Sequence, residues 1–193
     1  MKLLLKILLY SMLTGVLSLW LFIAYAVSDY NSSYNPEDIN SLVKKAKTSK
    51  QLPQAFIDVY YKINSKRNSK EVLYHALIDQ RTRPCPSMEM AGFISHVAIN
   101  NNKFLANRYV FAMKLENYLS QEECLNYLAE RHDFLYLNIG IRQASTYYFK
   151  KDLEHLNTKE YATLVLMLEN PSIYNPKKNP NRLESRLRAY NLE

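Results

Sequence analysis

Apolar residues run almost unbroken from Leu8 to Ala24, and no charged residue lies between Ile7 and Ser28. Crossing ~30 Å of hydrocarbon takes about 20 apolar residues in a helix, so the stretch predicts one transmembrane helix. Trp20 and Tyr25 stand near its outer end, where amphipathic rings favour the headgroup region. Lys2 and Lys6 precede it, which assigns the start of the chain to the cytoplasmic side and the remainder to the outside. Ala24-Tyr25-Ala26 fits the small-residue pattern of a signal-peptide cleavage site. Signal-peptide apolar regions, however, run only about 7–15 residues, so the length favours an uncleaved anchor.

After Ser28 the pattern changes from continuous to periodic. Residues 28–34 are polar and read as a short linker. Asn35-Pro36-Glu37-Asp38 starts a helix, with a capping residue, proline at the first helical position and acids in the first turn. A second helix begins at Leu52-Pro53 and carries Phe56, Val59, Tyr60 and Ile63 as one apolar stripe. The polar run from Asn64 to Ser69 breaks it. A third helix is expected over Val72–Asp79, ended by Arg81-Thr82-Arg83-Pro84-Cys85-Pro86, since proline cannot continue a helix. Two more are expected over Ser87–Ile99 and Lys103–Tyr118. Ser120-Gln121-Glu122-Glu123 and Asn157-Thr158-Lys159-Glu160 are capping boxes that open two further helices, the second stopping before Pro171. Asn181 to Asn191 closes the chain as a helix of mixed charge. Period-2 alternation is scarce, so the fold class is all-α. The pattern divides the chain into an anchor or signal segment (1–28), a linker with the first helix (29–50) and one domain (51–193).

Charge narrows the partners. Of 25 basic residues only Lys2 and Lys6 precede the apolar run, and the rest stand against 18 acidic ones, leaving +5 outside the membrane. That balance suits phosphate-bearing headgroups or acidic polymers. Nucleic acid is not expected, because no reading motif is present. Tyr is abundant at 16 residues and suits amphipathic surfaces as well as ordinary core. Cys85 and Cys124 are the only cysteines; they read as two unpaired, buried thiols, and no zinc spacing or other metal set is present.

The last third carries a specific pattern. Leu115-Glu116-Asn117-Tyr118-Leu119-Ser120-Gln121-Glu122-Glu123-Cys124-Leu125 and Ile139-Gly140-Ile141-Arg142-Gln143-Ala144-Ser145-Thr146-Tyr147-Tyr148-Phe149-Lys150-Lys151 lie in one ungapped frame. Leu156-Asn157-Thr158-Lys159-Glu160-Tyr161-Ala162 and the string from Asn170-Pro171-Ser172 through Tyr174, Pro176, Asn179 and Pro180 to Arg186 follow at fixed distance. Together these resemble the peptidoglycan glycosyltransferases, the transglycosylase domains of penicillin-binding proteins and their monofunctional relatives (glycosyltransferase family 51). The resemblance implies a lysozyme-like helical transglycosylase domain that acts on lipid II or a growing glycan strand beside the membrane. It also implies wall synthases as possible partners, and a divalent metal only if the chain is active.

Upstream the likeness thins where the chemistry should be. Leu52-Pro53 through Ile63 is similar to the helix that leads into the family's first motif, and its catalytic glutamate position holds Asn64. Only Ser87 remains of the second motif. The third, counted back from Glu116 without a gap, puts Arg108 at its glutamate. The glycine-rich fourth motif has become Asp133 to Gly140, with two of three glycines lost. A positioned carboxylate base is worth about 10²–10⁴-fold on a hydroxyl nucleophile. An amide is not a usable base and a guanidinium is donor-only, so the resemblance implies an impaired enzyme that binds lipid II, glycan or a wall synthase. The candidate substrate-binding residues are Asn64, Ser87, Arg108, Asn138 and Arg186. Among substitute carboxylates Glu71, Asp79 and Glu89, the last is best placed, two residues after Ser87; the plainer reading is a solvated glutamate near a helix start. His96, beside Phe93 and Val97, is a further base candidate and reads more simply as a packed or surface residue. Lys177, Lys178, Arg182, Arg186 and Arg188 form a basic cluster able to meet anionic lipid or a pyrophosphate, or else a solvated helix face.

Overall fold

The computed structural model describes residues 2–28, 30, 31, 34–79, 82–98 and 107–192. Among them every regular element is a helix: α1 (Lys2–Val27), α2 (Pro36–Lys47), α3 (Gln54–Ile63), α4 (Ser69–Ile78), α5 (Pro86–Ala98), α6 (Arg108–Leu115), α7 (Gln121–Arg131), α8 (Ile141–Phe149), α9 (Thr158–Glu169) and α10 (Pro180–Arg188). The all-α expectation holds.

A side-chain cap opens five of the ten helices among the described residues. The Asn35 side chain accepts from Glu37 N–H, with Pro36 at the first turn of α2. Both arms of the capping boxes at Ser120/Glu123 and Asn157/Glu160 are formed. A third box, Asn68 with Glu71, opens α4 inside the stretch read from sequence as a breaker. Glu71 is thereby occupied at a helix end. The helix expected over 103–118 is described from Arg108 to Leu115, capped by Asn107, and Glu116–Tyr118 form a turn.

Two apolar clusters make the core, and α7 contributes to both. One packs Phe56, Tyr60 and Ile63 of α3 against Leu125 and Ala129, Ala144 of α8, Leu164–Met167 of α9 and Leu187 of α10. The other gathers Tyr34, Ile39 and Leu42, Val72, Met88, Met90 and Ala91, Phe111 and Leu115 around Cys124 and Tyr127. Cys85 and Cys124 are both buried free thiols, and burial pushes each thiol pKa up. The clusters leave a seam between α3–α9 and α4–α6, and the candidate cleft lies there.

Helix α1 is long and apolar enough to cross a membrane, and it stands clear of the domain except at its last turn. Ala26 is buried there, Lys114 Nζ donates to Ser28 O (2.6 Å), Asn117 Nδ2 to Val27 O (3.4 Å) and Asn31 Nδ2 to Ala26 O (2.6 Å).

Candidate functional site

Asn64 caps the C-terminal end of α3 in extended backbone conformation, its N–H still donating to Tyr60 O at 2.8 Å. Its Oδ1 accepts a hydrogen bond from Arg83 Nη1 (2.9 Å), and Arg83 Nη2 pairs with Glu169 at 3.0 Å. Arg83 belongs to the connection between α4 and α5, and Glu169 is the last residue of α9. One guanidinium from the α4–α5 connection therefore reaches across the seam to the ends of both α3 and α9. Because the pair is partly solvated, it contributes at most about 1 kcal/mol to stability; its larger effect is to fill space.

Two cavities meet at this tie and share Asn64, Arg83 and Pro84 as walls. One, of about 190 Å³, is closed by Tyr60, Glu89, Leu168 and Glu169. The other, of about 250 Å³, adds Arg67, His75 and Asp79. Small-molecule sites usually occupy about 300–1,000 Å³, so with Arg83 in place neither cavity alone holds a sugar ring with its pyrophosphate. Their charges largely cancel, since Arg67 and Arg83 face Asp79, Glu89 and Glu169.

Glu89 stands in the first turn of α5 and opens onto the smaller cavity together with Asn64. Burial pushes its carboxyl pKa up to about 7; Arg108 opposes that, Glu169 reinforces it and Arg83 opposes it. The folded protein holds this proton where the unfolded chain has lost it, so stability is full below about pH 4.5 and falls as pH rises through 7. Glu89→Gln is expected to flatten that fall, which is on the order of 3 kcal/mol. Urea unfolding at pH 5 and pH 8 measures it, and an unchanged slope in the variant refutes the assignment.

The other sequence-derived candidates separate. Arg108 opens α6 near Glu89; its Nε donates to Met88 O at 2.8 Å, and it lies so close to Gly92 that a Cβ there would stand 3.2 Å from Nε. Ser87 faces inward. It is fully buried, its Oγ donates to Glu116 Oε1 (2.6 Å) and its N–H to Gln121 Oε1 (3.0 Å), because those buried groups need partners more than the cleft does. Asn138 is away from the seam, and its amide donates to Leu135 O and Tyr136 O, both at 3.0 Å. Arg186 sits 5.1 Å from the Tyr190 ring, which Arg83 also approaches at 6.0 Å, and its Nε has no hydrogen-bond partner among the described residues. Lys177 covers the Tyr147 ring at 3.6 Å, so the basic cluster is divided between two places. The side chain of His96 lies outside the described residues.

Arg83 and Glu169 are the site residues that sequence reasoning passed over. Arg83 sits in a Pro-rich connection that signals only a helix end, and Glu169 reads as an ordinary helix terminus. No local pattern joins them.

Residues 101–192 match the model of the transglycosylase family, described as Transglycosylase. The matched segment contains Arg108, Asn138 and Arg186 and begins after Asn64, Ser87 and Glu89. No curated protein matches the chain significantly.

Proposed function

We propose, because residues 101–192 match the transglycosylase family model, that the chain is a membrane-anchored relative of the peptidoglycan glycosyltransferases that binds glycan or lipid II without polymerising it. One observation carries the reading. The two positions that the resemblance gives to carboxylates hold an amide and a guanidinium, and both are engaged internally: Asn64 by Arg83, Arg108 by Met88 O. Neither group accepts a proton from a sugar hydroxyl near neutral pH.

The last turn of α1 supports retention of the anchor. Cleavage after Ala26 would remove a buried side chain and the carbonyl on which Asn31 rests. Retention holds the domain at the outer membrane face, where lipid-linked sugar pyrophosphates emerge. Wall synthases are the natural neighbours there.

The full chain in nanodiscs, given lipid II, is expected to retain the lipid or glycan and to yield no glycan strands. Strand formation by the purified chain overturns this reading.

Glu89 gives a second reading its specific ground. A carboxyl with a pKa of about 7, sharing a cavity with Asn64, has the proton affinity of a working general base. In that case strands form and Glu89→Gln abolishes them. If the chain neither makes strands nor retains lipid II or glycan, only a protein-interaction role is left.

A further inference from the structure

The loop after α7 bends sharply and is held hard. Leu135, Tyr136 and Leu137 have φ of 69°, 55° and 64°, three consecutive left-handed residues without a glycine. Each costs about 1–2 kcal/mol in that conformation, and such strain persists only where the surroundings over-determine it. Here Asp133 Oδ1 accepts from Leu135 N–H (2.8 Å), Asn138 N–H donates to Leu135 O (3.1 Å), and the Asn138 side-chain amide donates to that same carbonyl and to Tyr136 O. Tyr148 Oη donates to Phe134 O (2.7 Å) from below. The loop presents Leu137 to solvent at 96 % exposure and stacks Tyr136 on Tyr147, ring centres 5.8 Å apart.

Beside this loop runs an open furrow of about 580 Å³ along α8, lined by Asn138, Arg142, Gln143, Thr146, Tyr147 and Lys150. It is far more open to solvent than either cavity at the seam. Its chemistry differs as well. Two amides, one hydroxyl, one ring and two cations line it, with no carboxylate among them. Amide and hydroxyl groups both donate and accept, which suits sugar hydroxyls, and the ring offers an amphipathic body with a polar tip. Part of this wall is fixed in advance: Arg142 is pinned by Glu154 and by Gln51 O (3.2 Å), and Tyr147 packs against both Tyr136 and Lys177. Preorganisation lowers the entropy lost on binding.

From this we infer a saccharide-binding site on the outer face of α8, separate from the seam, that takes a carboxylate-bearing glycan such as a peptidoglycan strand with its stem peptides. The inference rests on the proposed non-polymerising binding function and places that binding in the furrow. Gln143 donates to and accepts from the sugar hydroxyls, Asn138 and Thr146 accept from them through their side-chain oxygens, and Lys150 meets the carboxylates.

The test uses the full chain in nanodiscs with soluble, uncrosslinked peptidoglycan strands, with and without stem peptides, and reads the dissociation constant. Thr146 and Lys150 are exposed, so Thr146→Glu and Lys150→Glu leave the core intact. Each is expected to weaken binding tenfold or more, with a smaller loss for strands stripped of peptides, while the charge reversal Lys70→Glu at the exposed start of α4 leaves binding unchanged. Equal binding by the furrow variants with loss in Arg83→Ala overturns the furrow and leaves the binding function standing at the seam. A polyglutamate peptide that displaces the strand as effectively as another strand reduces the site to charge alone and also overturns it. Failure of the wild type to bind strands overturns the site; the binding function falls with it only if lipid II is not retained either.

Discussion

Glu116→Ala is expected to lower the unfolding free energy by about 3–5 kcal/mol, the range for stranding a buried polar network. The Glu116 carboxylate accepts from Ser69 N–H (2.8 Å), Ser69 Oγ (2.7 Å), Ser87 Oγ (2.6 Å) and Gln121 Nε2 (2.7 Å). Those donors come from the starts of α4, α5 and α7, so one side chain at the end of α6 fixes three helix termini. Ser69 and Ser87 are fully buried, and without the carboxylate both hydroxyls lose a partner that water does not readily replace. Hydrogen bonds to a charged group are worth about 1.5–3 kcal/mol each but do not add within one network. Glu116→Gln keeps the shape and an acceptor while placing an NH₂ against donors, so it should fall between alanine and wild type. Urea unfolding ranks the three; a loss below about 1 kcal/mol for alanine contradicts the role given to Glu116.

The second large effect is expected at Gly140. Its φ is +91°, and a Cβ built there would lie 2.6 Å from the Glu130 carbonyl oxygen, a backbone atom at the end of α7 that has nowhere to move. Gly140 N–H also donates to His132 O (2.9 Å), closing the loop beside the Asp133–Ile139 bridge. Strain in a glycine-only region costs about 1–3 kcal/mol before the collision is counted. Gly140→Ala is therefore expected to lose about 3–5 kcal/mol, in the upper range for single substitutions, read as a thermal midpoint lower by about 10 °C. A midpoint within about 2 °C of wild type would contradict the close approach.

The contrast within that loop shows how far the sequence could be read. Gly140 remains where a Cβ collides with backbone, whereas Leu135 and Leu137 occupy positive φ where side chains have room. Counting lost glycines suggests a changed loop; the chain takes a left-handed path through it, where Asp133 and Asn138 hydrogen-bond it. Helix starts were legible where a side chain bonds its own helix end, as at Asn35, Ser120 and Asn157. Helix α8 was not marked as an element, because Gly140 precedes it without a side-chain cap. At the seam, Asn64 and Glu89 were legible as candidates because the resemblance runs through their neighbours. Arg83 was not: its meaning comes from residues on α3 and α9 that only tertiary packing brings near it.

The bonds from Lys114, Asn117 and Asn31 to the end of α1 have a mechanical consequence. They make the last turn of that helix part of the domain, so the domain turns with the helix instead of swinging on a free tether. A transmembrane helix tilts to match the thickness of the bilayer around it. On the proposed anchoring and α8 binding, a thinner bilayer would tilt α1 and carry the α8 face with it, so lipid composition would set the angle at which that face meets the wall.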